Sequence, residues 1–509
     1  MPVRLRPIRV LLAAMAVFVL RTPLASADAP WTEPRALGEP EQIEGFSLEP
    51  APEGKMFVAV RAVRGRRGRL PGAVRVWQFA PNTSDVRPFP VPDDLILPPV
   101  LDASSSCEAP RLVLVRARRA GRRTRLSVSF ASLSGRVRQT RQLGVFASPT
   151  DRRAALPRVA VSSYGAVAVA WFELGRAHPG GRLLRLRVAQ ADLCQRFKPP
   201  VTVARTRLRR PERADQAVAL AYGYHSLVVA YGVRRNVVEA RVRTGNRPFR
   251  SRVSLGRRDD TLSLTAAGTW RNNGRVVVAW GGQAEANAPW TIRAAIRSGA
   301  PARFSSPIVL DRADALGKPP GRLAASVAWD GAATVAWSGL ERAADELRAP
   351  VRVASTAPRP RGWIKSQLAP NGILGDIAQL DIEPTSTTLA AFAKLDDDPR
   401  RDRAGRIFAA VAFRSHAVPL ESPASWPAPT FAAPEVISAP SRFLRASLGP
   451  TAAFAGFPVR HVRDPVTGES RPTSDAGVLW GSHLTDSDPG SELLQLSFRR
   501  SSPGSDPVD

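Results

Sequence analysis

The sequence is poor in lysine, although it is strongly basic. Only five of its 73 basic residues are lysines, and its 44 acidic residues leave a formal net charge of +29 with a pI near 11.5. An excess of arginine with abundant alanine and proline is typical of a GC-rich genome, which is our first interpretation. The alternative is an anionic partner attracted by the positive field of the protein.

Cysteine is also scarce, and the usual motif spacings do not occur. Cys107 and Cys194 lie far apart and form no C-x-x-C motif, which argues against a zinc ribbon or a thioredoxin-like redox site. A disulfide between them is possible in an oxidising compartment, and two buried thiols are the alternative. We expect no metal and no cofactor, because ligand spacing is also missing at the five histidines, His178, His225, His416, His461 and His483.

Long apolar runs are missing except near the N-terminus. An apolar stretch from Val10 to Leu20 follows a basic segment, and Ala25-Ser26-Ala27 has the small residues of a cleavage site. The stretch is short for a membrane span and ends at Arg21. We expect residues 1–27 to be a secretory signal peptide, with an uncleaved anchor as the alternative. The mature protein would then be secreted or held at the cell surface without a membrane span.

Helical periodicity does not occur, and one apolar phrase recurs instead. The stretch "GRVVVAWGGQ", residues 274–283, has close relatives along the chain, with runs that begin at positions 56, 111, 166, 226, 275, 332, 388 and 451. Their starts are separated by 55, 55, 60, 49, 57, 56 and 63 residues. A repeat near this length that is built from short strands indicates a solenoid or a propeller.

Each repeat has the same internal order of strands. A first strand leads into a turn such as Asn273-Gly274 or Asp330-Gly331, which is typical of a tight hairpin, and the apolar run follows as the second strand. An alternating third strand comes next, as in "LLRLRVAQA". A fourth phrase then joins an aromatic residue to an aliphatic strand, often through a proline, which suits an edge strand. Trp171, Tyr231, Trp280, Trp337 and Phe392 hold equivalent places in the runs, and we expect them to pack between repeats.

Four antiparallel strands per repeat predict an all-β fold, a single β-propeller of eight blades, with seven as the alternative. The phrase "WTEPRALG", residues 31–38, is a fourth strand that stands before the first repeat, and the eighth repeat ends after "GVLWGSHLTD", read as its third strand. We therefore predict that the N-terminal strand closes the last blade. The domains are then 1–27 signal peptide, 28–497 propeller and 498–509 flexible tail.

The repeated "VVVAW" run, the glycine hairpin and the "F-x-x-P-x-x-L" phrase resemble secreted bacterial β-propellers of the sialidase-like and related types. The resemblance implies a propeller over residues 31 to about 490. It transfers no catalytic residue, because the aspartate box S-x-D-x-G-x-x-W is missing and an arginine triad cannot be singled out among so many arginines. The four tyrosines, Tyr164, Tyr222, Tyr224 and Tyr231, fall in or beside strands of only two blades.

Motifs for nucleophilic, metal-dependent or phosphate chemistry do not occur, since G-x-S-x-G, H-E-x-x-H and the P-loop are missing. The acid-rich stretches at 395–403 and 259–260 lack calcium-loop spacing and are interpreted as solvated loops. Glu173, Glu285 and Glu341 lie in comparable loops and are our first candidates if the protein is a glycosidase.

Two functions remain. The first is a noncatalytic extracellular binding or scaffolding propeller, expected to be a monomer, that engages an anionic polysaccharide, a cell-wall polymer or a protein. The second is a glycoside hydrolase or lyase with its site at the channel mouth. Missing motifs favour the first. We predict a cationic patch on the face of the loops between second and third strands, formed by Arg64, Arg66, Arg67, Arg69, Arg118, Arg119, Arg122, Arg123, Arg209, Arg210, Arg234 and Arg235, with the opposite face nearer neutral.

Overall fold

The structure is a computed structural model of the chain. It describes backbone and, between residues 57 and 368, most side chains of the following ranges. They are 35–50, 56–62, 74–79, 86–97, 99–102, 111–120, 123–146, 156–162, 165–178, 181–192, 194–208, 217–232, 237–256, 264–269, 274–282, 289–298, 303–313, 323–327, 331–338, 341–343, 346–348, 350–357, 362–369, 372–382, 388–395, 404–413, 430–431, 435–436, 441–442, 454–456, 461–463, 470–472, 476–483 and 491–499.

Five consecutive repeats each form a four-stranded antiparallel sheet, which we call a blade. In blade 2 the strands are β5 (Val100–Asp102), β6 (Arg111–Ala120), β7 (Arg123–Ala131) and β8 (Val137–Val145). In blade 3 they are β9 (Arg158–Val161), β10 (Val167–His178), β11 (Gly181–Ala191) and β12 (Val201–Leu208). In blade 4 they are β13 (Ala217–Gly223), β14 (Ser226–Gly232), β15 (Val238–Thr244) and β16 (Val253–Gly256).

Blades 5 and 6 repeat this order. Blade 5 contains β17 (Leu264–Gly268), β18 (Val276–Gly282), β19 (Trp290–Arg297) and β20 (Ile308–Ala313). Blade 6 contains β21 (Leu323–Val327), β22 (Ala333–Ser338), β25 (Val351–Thr356) and β26 (Ile364–Ala369), with a small hairpin, β23 (Glu341–Ala343) and β24 (Glu346–Arg348), inserted after its second strand.

Two larger sheets and a hairpin remain, and the first of these sheets joins the two ends of the chain. One contains β1 (Arg35–Pro50), β2 (Met56–Ala62), β3 (Val74–Phe79), β4 (Val86–Pro88), β33 (Phe454–Gly456), β36 (Ala476–His483) and β37 (Ser491–Arg499). Another contains β27 (Gly372–Ile382), β28 (Thr388–Leu395), β29 (Ala404–Phe413), β30 (Thr430–Phe431), β31 (Glu435–Val436) and β32 (Ser441–Arg442), and a separate hairpin contains β34 (His461–Arg463) and β35 (Ser470–Pro472).

One predicted strand assignment is wrong. The run at position 451 contains β33, which is the first strand of its sheet, and "GVLWGSH" is the second strand β36 rather than the third. Strand β37 follows as the third. The error arose because both segments are apolar, and the pairing partner, which decides between them, is not a local property of the sequence.

The sheets are arranged as in a β-propeller. First strands of successive sheets contact one another in chain order, β5 with β9, then β13, β17, β21, β27 and β33. Strand β33 also contacts β1, and β1 contacts β5. The first half of β1 pairs with β37, where Leu37 lies opposite Leu494, and the second half pairs with β2. All elements in the described ranges are strands.

The apolar runs are buried on both faces because each second strand lies between two neighbouring blades. Trp171, Tyr231, Trp280 and Trp337 are at most 1% exposed, and each belongs to a core between blades. Phe392 lies on β28, where side chains are outside the described part. The predicted inter-blade packing of the four described aromatic residues is therefore confirmed.

Two local features recur in the blades, one in the turns before the second strands and one in the fourth strands. Gly165, Gly274 and Gly331 have φ of +79°, +70° and +93° in the turns before the second strands, which is the left-handed conformation predicted for these hairpins. The fourth strand of each blade from 2 to 6 has one extra aliphatic residue relative to its partner strand, and this residue is buried in blades 2 to 5 and half-buried in blade 6. In blade 5 it is Leu310, which lies between the partners of Ile292 and Arg293. An extra residue of this kind is a β-bulge, which bends the edge strand and increases its twist.

Candidate functional site

A row of charged side chains crosses the outer half of blade 3. Glu173 on β10 lies opposite Arg185 on β11, and Arg185 lies opposite Arg205 on β12. Side chains alternate along a strand, so Arg187 and Arg207 share this face of the sheet. The face is the one that packs against blade 2, because Trp171, which lies opposite Arg187, belongs to the core between blades 2 and 3.

Blade 2 contributes a further arginine to the same gap between blades. Arg141 on β8 lies opposite Val128, a member of the core between blades 2 and 3, and its side chain is exposed. Strand β8 approaches β10 at this boundary. We call Arg141, Arg185, Arg205 and Arg207 the arginine seam.

The arginine seam carries little compensating negative charge. The carboxylate of Glu173 lies 3.7 Å from Nε of Arg187, and none of the four seam arginines has an ion-pair partner among the described residues. Arg141, Arg205 and Arg207 are exposed, and Arg185 is half-buried. Since like charges directly opposite each other destabilise a sheet, the Arg185–Arg205 pair is a place of poorly balanced positive charge.

The structure describes only part of the predicted cationic patch. Arg118 and Arg123 are exposed, and Arg118 Nε lies 2.5 Å from Asp94 Oδ2. Arg119 is described by its backbone alone. The other predicted arginines lie outside the described residues, and they are Arg64, Arg66, Arg67, Arg69, Arg122, Arg209, Arg210, Arg234 and Arg235. Exposed arginines occur near both ends of the described blades, for example Arg207 and Arg247, so the difference between the two faces stays a prediction.

Asp94 neutralises part of the positive charge of blade 2. It accepts hydrogen bonds from Arg116 Nε at 2.6 Å and from Arg118. Burial alone would raise the pKa of Asp94, but the two arginines outweigh burial and hold that pKa below its usual value. The carboxylate is therefore ionised at neutral pH, and Arg118 is partly neutralised by it.

Polar side chains link blades 3 and 4 at the end of the blades opposite to Arg207, where hairpins join the first and second strands. Gln190 Nε2 donates to the Tyr222 hydroxyl at 3.3 Å, and Arg243 Nη1 donates to Gln190 Oε1 at 2.6 Å. Burial, and then the nearby charge of Asp192, raise the pKa of Tyr222. The phenol thus stays protonated, which suits a hydrogen-bonding role rather than that of a nucleophile.

The acids near Tyr222 are held in ion pairs. Asp102 is buried and accepts from Arg111 Nε at 2.8 Å, while Asp192 pairs with Lys198. Of the acids proposed for a glycosidase, Glu173 lies beside Arg187, as described above. Glu285 lies outside the described residues, and Glu341 begins β23 with its side chain outside the described part. Tyr164 also lies outside the described residues.

Two arginines at equivalent positions have a structural role. Arg111 and Arg275 each precede the apolar run of their blade, and each bonds two backbone carbonyls of the following blade. Arg111 reaches Gly165 and Cys194, both at 3.1 Å, and Arg275 reaches Gly331 and, at 2.8 Å, Ala357. Burial lowers the pKa of Arg275 to about 10. These side chains join neighbouring blades and are not available to a ligand.

Cys194 is disulfide-bonded and has a φ of +64°, whereas Cys107 lies outside the described residues. In the described ranges, groups of three or more acidic, histidine or cysteine side chains that could hold a metal ion do not occur. Within the same ranges there is also no helix of the length and apolar character that a bilayer crossing requires.

Sequence reasoning missed the arginine seam because it searched loops rather than strands. The signal was present in "RLRV", residues 185–188, and "ARTRL", residues 204–208, where two arginines stand two positions apart and must share one face of a strand. The sequence could have revealed this basic face on each strand. It could not have shown that Arg141 of the preceding blade lies along the same boundary.

Neither a protein-family model nor a curated protein sequence matches the chain. Among solved structures, a lectin, BP39L from Burkholderia pseudomallei, matches 78% of this chain and 100% of its own at 12% identity and a TM-score of 0.43. The polysaccharide lyase Uly1 matches 92% and 100% at 9% identity and a TM-score of 0.37. An α-L-arabinanase from Penicillium chrysogenum matches 66% and 98% at 11% identity and a TM-score of 0.33. At these identities and TM-scores, the similarities identify neither a family nor an activity for this chain.

Proposed function

We propose that this protein is a noncatalytic, secreted β-propeller that binds an acidic polysaccharide along the arginine seam. The observation that carries the proposal is the Arg185–Arg205 pair, with Arg207 beside it and Arg141 on the neighbouring blade. The seam extends along and across several strands, so it suits a polymer with repeated anionic groups better than a single small anion. Exposed guanidinium groups bind such groups with charge-assisted hydrogen bonds.

The polar cluster that links blades 3 and 4 supports binding rather than catalysis. A glycosidase of the usual kind needs two carboxyl groups beside the scissile bond, one of them protonated. Asp102 and Asp192 are each engaged by a cation, and Tyr222 is a protonated phenol in a hydrogen-bonded network. These groups fit a fixed polar surface between blades.

We also propose that eight blades form a closed ring. The support is the cyclic order of first-strand contacts, which returns from β33 through β1 to β5. Strand β1 would complete the last blade with its first half and begin the first blade with its second half. Closure of this kind leaves fewer unpaired edges for aggregation.

We also propose that the protein is exported and that its disulfide joins Cys107 to Cys194. Cys107 is the only possible partner within the chain for the bonded Cys194, since the sequence has two cysteines. The bridge would join blades 2 and 3 in an oxidising compartment. Mass spectrometry of exported protein should give the mass of residues 28–509 with one disulfide. A mass that includes residues 1–27, or two free thiols, would contradict this part.

Binding to polygalacturonate, with dextran as the neutral control, tests the function. The triple variant Arg141→Gln, Arg205→Gln and Arg207→Gln removes three exposed charges. At about 0.5 kcal/mol for each exposed ion pair, it should weaken binding by roughly tenfold. Affinity of the parent should fall as salt rises, because exposed charges are screened.

The matched control removes three exposed charges from blades 5 and 6, as Arg303→Gln, Arg312→Gln and Lys365→Gln. It should bind polygalacturonate almost as well as the parent. Equal loss in both triple variants would mean that net charge alone drives binding, and equal affinity for dextran would refute an anionic ligand.

A further inference from the structure

The hairpin between β13 and β14 presents two aromatic rings at the inner end of blade 4. Tyr224 is 43% exposed, and its ring centroid lies 4.2 Å from that of His225, which is also exposed. His225 has a φ of +47°, which is uncommon for a residue other than glycine. First strands are the innermost strands of a propeller, so this hairpin lies at the mouth of its channel.

Close backbone contact with blade 5 holds this hairpin in place. A Cβ atom added to Gly274 would lie 1.9 Å from the backbone nitrogen of Tyr224, and one added to Gly223 would lie 2.3 Å from the oxygen of Gly274. On the other side, the amide of Gly245 donates to the His225 carbonyl at 2.8 Å. The backbone that carries the two rings is therefore held in place before any ligand arrives, which lowers the entropic cost of binding.

Two cations belong to segments that are hydrogen-bonded, directly or through Asn246, to the turn next to this hairpin. The turn that bonds His225 continues to Asn246, whose Oδ1 accepts from Lys198 Nζ of blade 3 at 2.6 Å, and then to the exposed Arg247. Asp192, the described acid in this group, is paired with Lys198. An exposed aromatic ring flanked by cations is complementary to a sugar ring that carries a carboxylate, because the apolar C–H face of the sugar packs on the aromatic face.

We propose that Tyr224, His225, Lys198 and Arg247, the channel-mouth platform, form a second binding site for a uronate residue of an acidic polysaccharide. Tyr224 would stack on the sugar ring, and Lys198 and Arg247 would contact its carboxylate. The ligand class rests on the proposed function, but the site is separate, since the platform lies at the end of the blades opposite to Arg207. One protein molecule would then hold two stretches of polymer.

Calorimetric titration of the mature protein with a short oligogalacturonide tests the platform. The parent should show two binding events. Tyr224→Ala should weaken one event at least fivefold and leave the other unchanged, whereas Tyr224→Phe, which keeps the ring, should bind like the parent. Ile364→Ala, at the 61% exposed Ile364 of blade 6, is the matched control for loss of an exposed apolar side chain.

The outcomes separate the two proposals. If the seam triple variant loses binding but Tyr224→Ala matches the parent, the platform is wrong and the proposed function stands. If Tyr224→Ala loses binding and the seam triple variant does not, the platform stands and the seam is wrong. A parent that does not bind the oligogalacturonide refutes both.

Discussion

Substitution of Gly274 by alanine should disrupt the boundary between blades 4 and 5 and the platform with it. Gly274 has a φ of +70° in the hairpin before β18. The Cβ atom of an alanine would lie 1.9 Å from the nitrogen and 2.6 Å from the Cα of Tyr224. Both are backbone atoms, so a change of rotamer cannot relieve the overlap and one hairpin must move.

The loss of stability in Gly274→Ala has two parts. Left-handed backbone costs an alanine about 1–2 kcal/mol, and overpacking against a fixed neighbour costs about 1–3 kcal/mol more. We therefore expect a loss of about 3.5 kcal/mol in the free energy of unfolding, using mid-range values of both parts. Gly245 provides the control, because its φ is +53° but a Cβ there would have no atom within 4 Å. Gly245→Ala should cost only the first part.

Urea unfolding and thermal melting of the two variants and the parent measure this difference. The stability should decrease in the order parent, Gly245→Ala and Gly274→Ala. Gly274→Ala should also weaken the Tyr224-dependent binding event, because the rings shift with the hairpin. Equal stability of the two variants would refute the close packing of the two hairpins and the preorganisation of the platform.

Three further predictions concern single contacts and ring closure. Asp311→Ala leaves the indole N–H of Trp337, now bonded at 2.7 Å, without its acceptor and should cost about 2 kcal/mol by thermal melting, whereas Asp93→Ala, at an exposed acid, should cost almost nothing. The pKa of Asp94 is lower in the folded than in the unfolded protein, so its stabilisation is present above pH 3.8 and is lost as pH falls through the folded pKa. The melting temperatures of the parent and Asp94→Asn should therefore converge in acid, and a constant difference would contradict the ion pairs. Deleting residues 28–40 should expose the edge of β37 and lower the melting temperature and solubility, and a truncated protein as stable as the parent would refute closure by β1.

Local patterns predicted most of the strands. The apolar runs became second strands in the blades with described side chains, because a strand buried on both faces requires apolar residues at every position. Glycine marked the hairpins at Gly274 and Gly331, where φ is positive. The eighth repeat was misread at β33 and β36, since two apolar segments compete there and only pairing with a distant strand separates them.

The sequence alone determined the repeat, the strand order within a blade and the basic faces of β11 and β12, because these follow from periodicity along a single strand. It did not determine which faces meet. Arg141 faces the same boundary as Arg185 and Arg205 because β8 of one blade approaches β10 of the next. In the same way, the backbone of Tyr224 packs closely against Gly274, a residue of another blade. Contacts between blades depend on the twist and bulges of whole sheets, so the tertiary structure decided both candidate sites.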